Sequence, residues 1–237
     1  MELTAEGERY RQSIEEGMKL VVRATQREMQ SDKLVYLNSI PTLALKWLIP
    51  RLPNFTTAYP DIELRLSAIS LYDFDIDVDN LDLAIGYGNS PDWWPDSVAH
   101  EWCQDQILLV GRPSILEKYQ SIEEILQNET QIWGKDRYRS SFWKQWAEAK
   151  NLPLDSKAKK QVFENSTQAI QAAIAGVGIF VTHNIFVANE LSSGLLKNLA
   201  EPAITIDSWY YILCRSDKVH NKNVKTVIDW LMEEVSK

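Results

Sequence analysis

The sequence predicts an α/β fold of two lobes preceded by a long N-terminal helix, and three observations carry that prediction. From Lys33 onward, segments with strand patterning alternate with segments of helical patterning. They fall into two groups that divide near residue 112. Ahead of both, residues 1 to about 30 show no strand signal and carry apolar residues at helical spacing. Strands separated by helices pair as a mostly parallel sheet with right-handed crossovers, because a tight turn cannot reach a parallel neighbour.

In the leading segment Leu3, Tyr10, Ile14, Gly17, Val21 and Ala24 recur at intervals of three and four once one turn is skipped after Leu3. Met18, Val22 and Met29 widen the stripe. This is an amphipathic helix of about seven turns, which either packs on its own domain or meets a partner helix. Leu34–Leu37 then reads as a strand, and Pro41–Leu48 as a helix whose proline stands where a missing N–H costs nothing. Ile62, Leu64, Leu66 and Ala68 alternate with polar residues, as a half-buried strand does. Leu83–Gly86 and Ile107–Gly111 are short continuous apolar runs, expected of strands covered on both faces. The second group holds a strand at Gln131–Gly134, a helix at Ser141–Lys150 and a strand at Gln161–Phe163. A helix at Thr167–Ala175 and a strand at Gly178–Val181 complete it. The strand Trp209–Cys214 and an amphipathic helix through Val224, Val227, Ile228, Trp230, Leu231 and Val235 close the chain.

Composition narrows the function. The 237 residues carry a net charge of −8, and the densest basic stretch, Lys157, Lys159 and Lys160, reads as a solvated turn, so no basic face for a nucleic-acid duplex is expected. Cys103 and Cys214 lie far apart in apolar segments, unlike a redox or zinc motif. No apolar run reaches the roughly 18 residues that span a bilayer, and the polar, acidic start is unlike a signal peptide. A cytoplasmic protein with no membrane partner is the expectation.

Chemical motifs fail on inspection. Asp73, Asp75, Asp77 and Asp79 recur every second residue, but a calcium loop starting at Asp73 would need Gly and Glu where Val78 and Ala84 stand. Gly176-Val177-Gly178 runs from helix to strand, the reverse of a dinucleotide turn, and the third glycine is absent. His100, His183 and His220 have no close-spaced metal partners, and neither a nucleophile elbow nor a phosphate loop occurs. No cofactor, no metal and no catalytic activity are expected.

Four stretches in order carry a resemblance. Leu3-Thr4-Ala5-Glu6-Gly7 is followed by Leu48-Ile49-Pro50-Arg51-Leu52 with Phe55 and Tyr59-Pro60-Asp61-Ile62-Glu63-Leu64. Next come Leu81-Asp82-Leu83-Ala84-Ile85-Gly86-Tyr87-Gly88 and Ala172-Ala173-Ile174-Ala175-Gly176-Val177-Gly178-Ile179. In order and spacing these resemble the LysR-type transcriptional regulators, in particular the branch of the glycine-cleavage and β-lactamase activators. The resemblance implies a type II periplasmic-binding-protein-like fold with a small-molecule effector held between the lobes. It also implies a linker and dimerisation helix over 1–30, lobe I over 31–111 with 205–237, and lobe II over 112–204. Homodimers or homotetramers are implied as well. The family's winged helix-turn-helix, about 60 residues, would precede Leu3-Thr4 and is missing from this chain, so DNA contact is expected only through that module.

In open α/β lobes ligands sit beyond the carboxyl ends of strands, where helix N-termini favour anions. Ser39, Pro41 and Thr42 occupy such a strand-to-helix turn, where the two hydroxyls either contact a ligand or cap the helix, roles that are compatible. Asn165 and Ser166 occupy the corresponding turn of the second group, one of them as the helix N-cap. Ser70 and Tyr87 follow strands of the first group, and Thr182 and His183 follow one of the second; each is a cleft contact or an ordinary structural residue. The resemblance places an effector-contacting threonine on Thr42 and a contacting tyrosine on Tyr211, which alternatively is a core aromatic. Of Trp93 and Trp94, one is expected to pack under its loop or beside the cleft, since a fully exposed pair would be costly. The leading reading is an effector-sensing regulatory domain. The alternative is the solute-binding protein of a transport system, with the same lobes in another compartment.

Overall fold

The coordinates are those of a computed structural model, which describes residues 4, 6–11, 13–15, 17, 18, 21, 33–67, 76, 81–135 and 139–236. The N-terminal segment is helical wherever it is described between residues 6 and 21, and Tyr10, Ile14, Met18 and Val21 of its apolar stripe are exposed. Leu3, Val22, Ala24 and Met29 lie outside the described residues, as do Ser70 and the aspartates 73, 75, 77 and 79.

Strand β1 (Leu34–Asn38) buries Val35 and Leu37 and feeds α1 (Pro41–Leu43), which opens on its proline. The helix continues through a π-helical turn (Ala44–Leu48) and a 3-10 turn (Ile49–Arg51) into α2 (Leu52–Ala58). Next come β2 (Glu63–Ser67), β3 (Leu83–Gly88) and β4 (Ser97–Gly111). The second group holds α3 (Ser114–Lys118), α4 (Ile122–Asn128), β5 (Gln131–Gly134), α5 (Arg139–Ala149) and β6 (Lys160–Phe163). It continues through α6 (Ser166–Ala175), β7 (Ile179–His183), α7 (Asn184–Ser192) and β8 (Lys197–Asn198). Strand β9 (Ile204–Arg215) returns to the first group, and α8 (Lys222–Val235) packs there.

Among the described residues the strands form one nine-stranded sheet in the order β2-β1-β3-β9-β4-β7-β5-β6, with β8 beside β4. Parallel pairing holds at its two ends, β2-β1-β3 and β7-β5-β6. The middle is antiparallel, since β3 pairs β9, β9 pairs β4 and β4 pairs β7 that way. The sheet is therefore mixed rather than mostly parallel, because two long strands run between the halves instead of returning through helices. The run Ile107–Gly111 is only the end of the 15-residue β4. Its first part alternates polar residues such as His100, Glu101 and Gln104, so it lacks the continuous apolar signature.

One hydrophobic cluster runs through both halves on one face. It joins Leu37, Leu43, Trp47, Leu83 and Ile85 to Ala169, Ile170, Phe180 and Phe186. A second fills the other face of the β5–β7 half with Ile115, Ile125, Phe142, Trp143 and Trp146. A third, smaller cluster gathers Ile76, Leu81, Ala84, Tyr211 and Leu213 on the other face of the first half.

Candidate functional site

The first helix turn of each half brings a hydroxyl to the other. Thr42, in α1, and Thr167, in the first turn of α6, place their Oγ1 atoms 3.0 Å apart. Thr42 does not cap its helix, for Ile40 is the N-cap and makes no side-chain bond there. Pro41 starts that helix with an exposed ring, and buried Ser39 makes one long contact, Oγ to the Ile40 carbonyl at 3.4 Å. On the other side Asn165 is the N-cap, its Oδ1 accepting from the Gln168 amide at 2.9 Å. The cap frees Ser166 to turn inward, where it is buried. The amides of Ser166 and Thr167 precede the first intrahelical bond, from Ala169 to the Asn165 carbonyl at 3.1 Å. Such amides carry the positive end of the helix dipole. Thr182, on β7, is buried with its hydroxyl unpartnered among the described residues. Such an orphan costs about 1–3 kcal/mol unless water or a ligand reaches it.

A few residues beyond Thr42, the halves are clamped by charge. Lys46 Nζ lies 2.9 Å from Glu190 Oε1, and both side chains are about nine-tenths buried. The Asn189 side-chain amide donates to the Lys46 carbonyl at 2.8 Å. Lys46 belongs to the π-helical turn and Glu190 to α7, so the clamp ties the β1–β3 half to the β5–β7 half.

Tyr87, near the end of β3, and His183, at the end of β7, meet edge to face with ring centroids 5.4 Å apart. Both engage Asp105 Oδ2, the Tyr87 hydroxyl donating at 2.8 Å and His183 Nδ1 lying at 2.7 Å. Phe142, Phe186 and Tyr210 close around the imidazole. His183 is thus partnered at Nδ1, which is compatible with either of the readings open for it.

Tyr211 lies elsewhere. Neighbouring strand residues face opposite sides, so Tyr210 joins Tyr87 and His183 while Tyr211 packs against Trp94 at 5.5 Å. Burial, then the negative charges of Glu101, Asp207 and Asp92, raises the Tyr211 phenol above its ordinary range. Trp94 lies over Gly86, where a Cβ would come within 2.6 Å of its ring, whereas Trp93 covers Gly88 and stays half exposed. Sequence reading thus missed Thr167, Asp105, Lys46 and Glu190. Asn165 pointed to the helix start that holds Thr167, but no local pattern marks the other three.

Among the described residues no group of three or more His, Cys, Asp or Glu side chains is placed to hold a metal, and no helix is long and apolar enough to cross a membrane. Burial pushes the thiol of Cys103 up to about 12 and that of Cys214 up to about 11. At pH 8 the thiolate fractions are then about one in ten thousand and one in a thousand. Neither cysteine is expected to react with a disulfide reagent in native protein, and both should titrate in denaturant. Fast labelling of folded protein would contradict that placement.

Comparison with known proteins completes the picture. The sequence profile of the LysR substrate binding domain matches residues 30–236. The chain is 26% identical over 238 residues to the glycine cleavage system transcriptional activator of Escherichia coli K12, covering 99% of this chain and 76% of that protein. The effector domain of AmpR from Pseudomonas aeruginosa superposes with a TM-score of 0.70 at 24% identity, over 86% of this chain and 96% of that one. CrgA of Neisseria meningitidis, a LysR-type regulator, superposes with a TM-score of 0.64 at 19% identity, over 100% of this chain and 81% of that one. These matches disfavour the transport-protein alternative, and the two-lobed, type II periplasmic-binding-protein-like fold is the fold of these effector domains. The chain belongs to the LysR family and is the effector-binding domain of a LysR-type transcriptional regulator.

Proposed function

We propose that this domain senses a small polar or anionic metabolite held between lobe I (31–111 with 205–237) and lobe II (112–204). The observation that carries the reading is the 3.0 Å contact of Thr42 with Thr167. Hydroxyls and first-turn amides converge there, a setting that favours carboxylate and phosphate groups. Ser39, Pro41 and Thr42 at the first turn, Asn165 and Ser166 at the second, and Thr182 on β7 are the proposed contacts, with Tyr87 and His183 near the ends of β3 and β7. Tyr211 remains a candidate contact on the strength of the family resemblance, and Ser70 by its place after a strand in the sequence. No catalytic role or cofactor is assigned. The effector acts by binding two arrangements of the lobes unequally, since equal affinity would shift nothing. The exposed stripe of the N-terminal helix pairs chains into homodimers or homotetramers in the cytoplasm. Operator DNA is contacted by a winged helix-turn-helix rather than by the acidic surface of this domain.

A thermal-shift screen of metabolites identifies the effector, and Thr42→Val then tests the site. Losing one hydrogen bond weakens binding by about 0.5–1.5 kcal/mol, or roughly 2- to 10-fold, with a comparably small stability change. Unchanged effector affinity in Thr42→Val would remove Thr42 from the site. The isolated chain is expected to show no operator-specific retention in a mobility-shift assay, and tight sequence-dependent binding would overturn that assignment.

A further inference from the structure

The two halves of the sheet share one carboxylate. Asp105 lies in β4 at a break in register, where Gln104 faces Trp209 and Gln106 faces Thr205, so that Ile206, Asp207 and Ser208 stand opposite Asp105 alone. Such irregularities bend a strand and re-aim its side chains. Here the side chain is turned into a nearly dry site, 1% exposed. Its Oδ2 holds Tyr87 from the β1–β3 half and His183 from the β5–β7 half, while Oδ1 has no partner among the described residues. Phe142 and Phe186, with ring centroids 4.7 and 4.6 Å from that of His183, leave little room for a substitute donor.

A buried carboxylate depends on its donors, and hydrogen bonds weaken steeply with distance and angle. Rotation of one half against the other about β4 and β9 would stretch one of the two bonds to Oδ2. We propose that Asp105 is a positioning residue which, from the strand joining the halves, sets the angle between them and the orientation of His183. In this arrangement Nδ1 of His183, 2.7 Å from Oδ2, donates to the Asp105 carboxylate, and the effector must work against this linkage to change the angle. The inference rests on the two-lobe reading above but not on the identity of any effector.

Nitroxide labels at Thr57→Cys and Gln127→Cys, exposed positions on α2 and α4 of opposite halves, report the angle. Cys103 and Cys214 stay unlabelled because burial raises their thiols to about 12 and about 11. Without ligand, Tyr87→Phe, which removes a single hydroxyl, is expected roughly to double the width of the measured distance distribution, and Asp105→Asn to do the same. Imidazole 15N spectra should show Nδ1 of His183 protonated in the parent and lose that signature in Asp105→Asn. A parent-like width in Tyr87→Phe overturns the proposal, and so does a His183 that carries its proton only on Nε2. Should Asp105→Asn fail to fold, Tyr87→Phe and the parent spectrum decide. Failure of the effector reading would show instead as an empty metabolite screen with these distances intact.

Discussion

Lys46→Met is expected to lower the unfolding free energy by about 3–5 kcal/mol, the cost typical of removing one partner from a buried ion pair. Methionine keeps the apolar stem of Lys46 and deletes only the ammonium, so packing against α7 is largely retained. What is lost is the charge 2.9 Å from Glu190 Oε1. The second oxygen, Oε2, already lacks a hydrogen-bond partner among the described residues, so Glu190 would be left buried with nothing to neutralise it. Removing both charges in Lys46→Met/Glu190→Leu should recover most of the loss, because two apolar side chains replace two desolvated ions. Urea denaturation of the single and double variants measures both changes, with the slope against denaturant reporting whether the transition stays two-state. A single variant within about 1 kcal/mol of the parent would mean that water reaches the pair and that it clamps nothing.

Gly178→Ala is expected to cost about 3 kcal/mol or to abolish soluble expression. A Cβ at that position would fall 1.9 Å from the Thr130 carbonyl oxygen, a backbone atom that also accepts from the Ile179 amide at 2.9 Å. Relief would require β7 to part from the Thr130 strand end, disturbing the pairing of β5 with β7. Gly194→Ala is the control, since nothing lies within 4 Å of its Cβ position and only its φ of +73° opposes a side chain. That strain is worth about 1–2 kcal/mol. Equal melting temperatures for the two variants would show that the close approach at Thr130 relaxes without cost.

Gly176 and Gly178, two residues apart, show how far a single sequence can be read. The Ala172–Ile179 stretch could be recognised as a helix-to-strand turn because its signals are local. Gly176 takes φ +84° as the C-cap of α6, a position glycine dominates for steric reasons. The demand on Gly178 comes from Thr130, far away in the chain, and no local pattern could reveal it. The same division runs through the site. A cap at Asn165 or Ser166 was legible, as was Pro41 as a helix start, because capping and proline geometry act within one turn; the structure chose Asn165. The adjacent pair Tyr210 and Tyr211 was legible only as strand. Period two sends them to opposite faces, but which one meets His183 depends on how β9 lies against β3 and β4.

The linear order of residues carried the family signature, the two strand-to-helix turns and the types of the elements it marked, all of which follow from spacing along the backbone, while α3, α4, α7 and β8 went unmarked. Tertiary structure alone decided that β4 and β9 run antiparallel through the middle of the sheet. It also decided which polar groups became partners, Thr42 with Thr167, Lys46 with Glu190, and Asp105 with both Tyr87 and His183. Those partnerships join residues 18 to 144 positions apart in the chain. Packing two half-sheets against one continuous core selects them, since a buried polar group must take whatever partner the fold brings within reach.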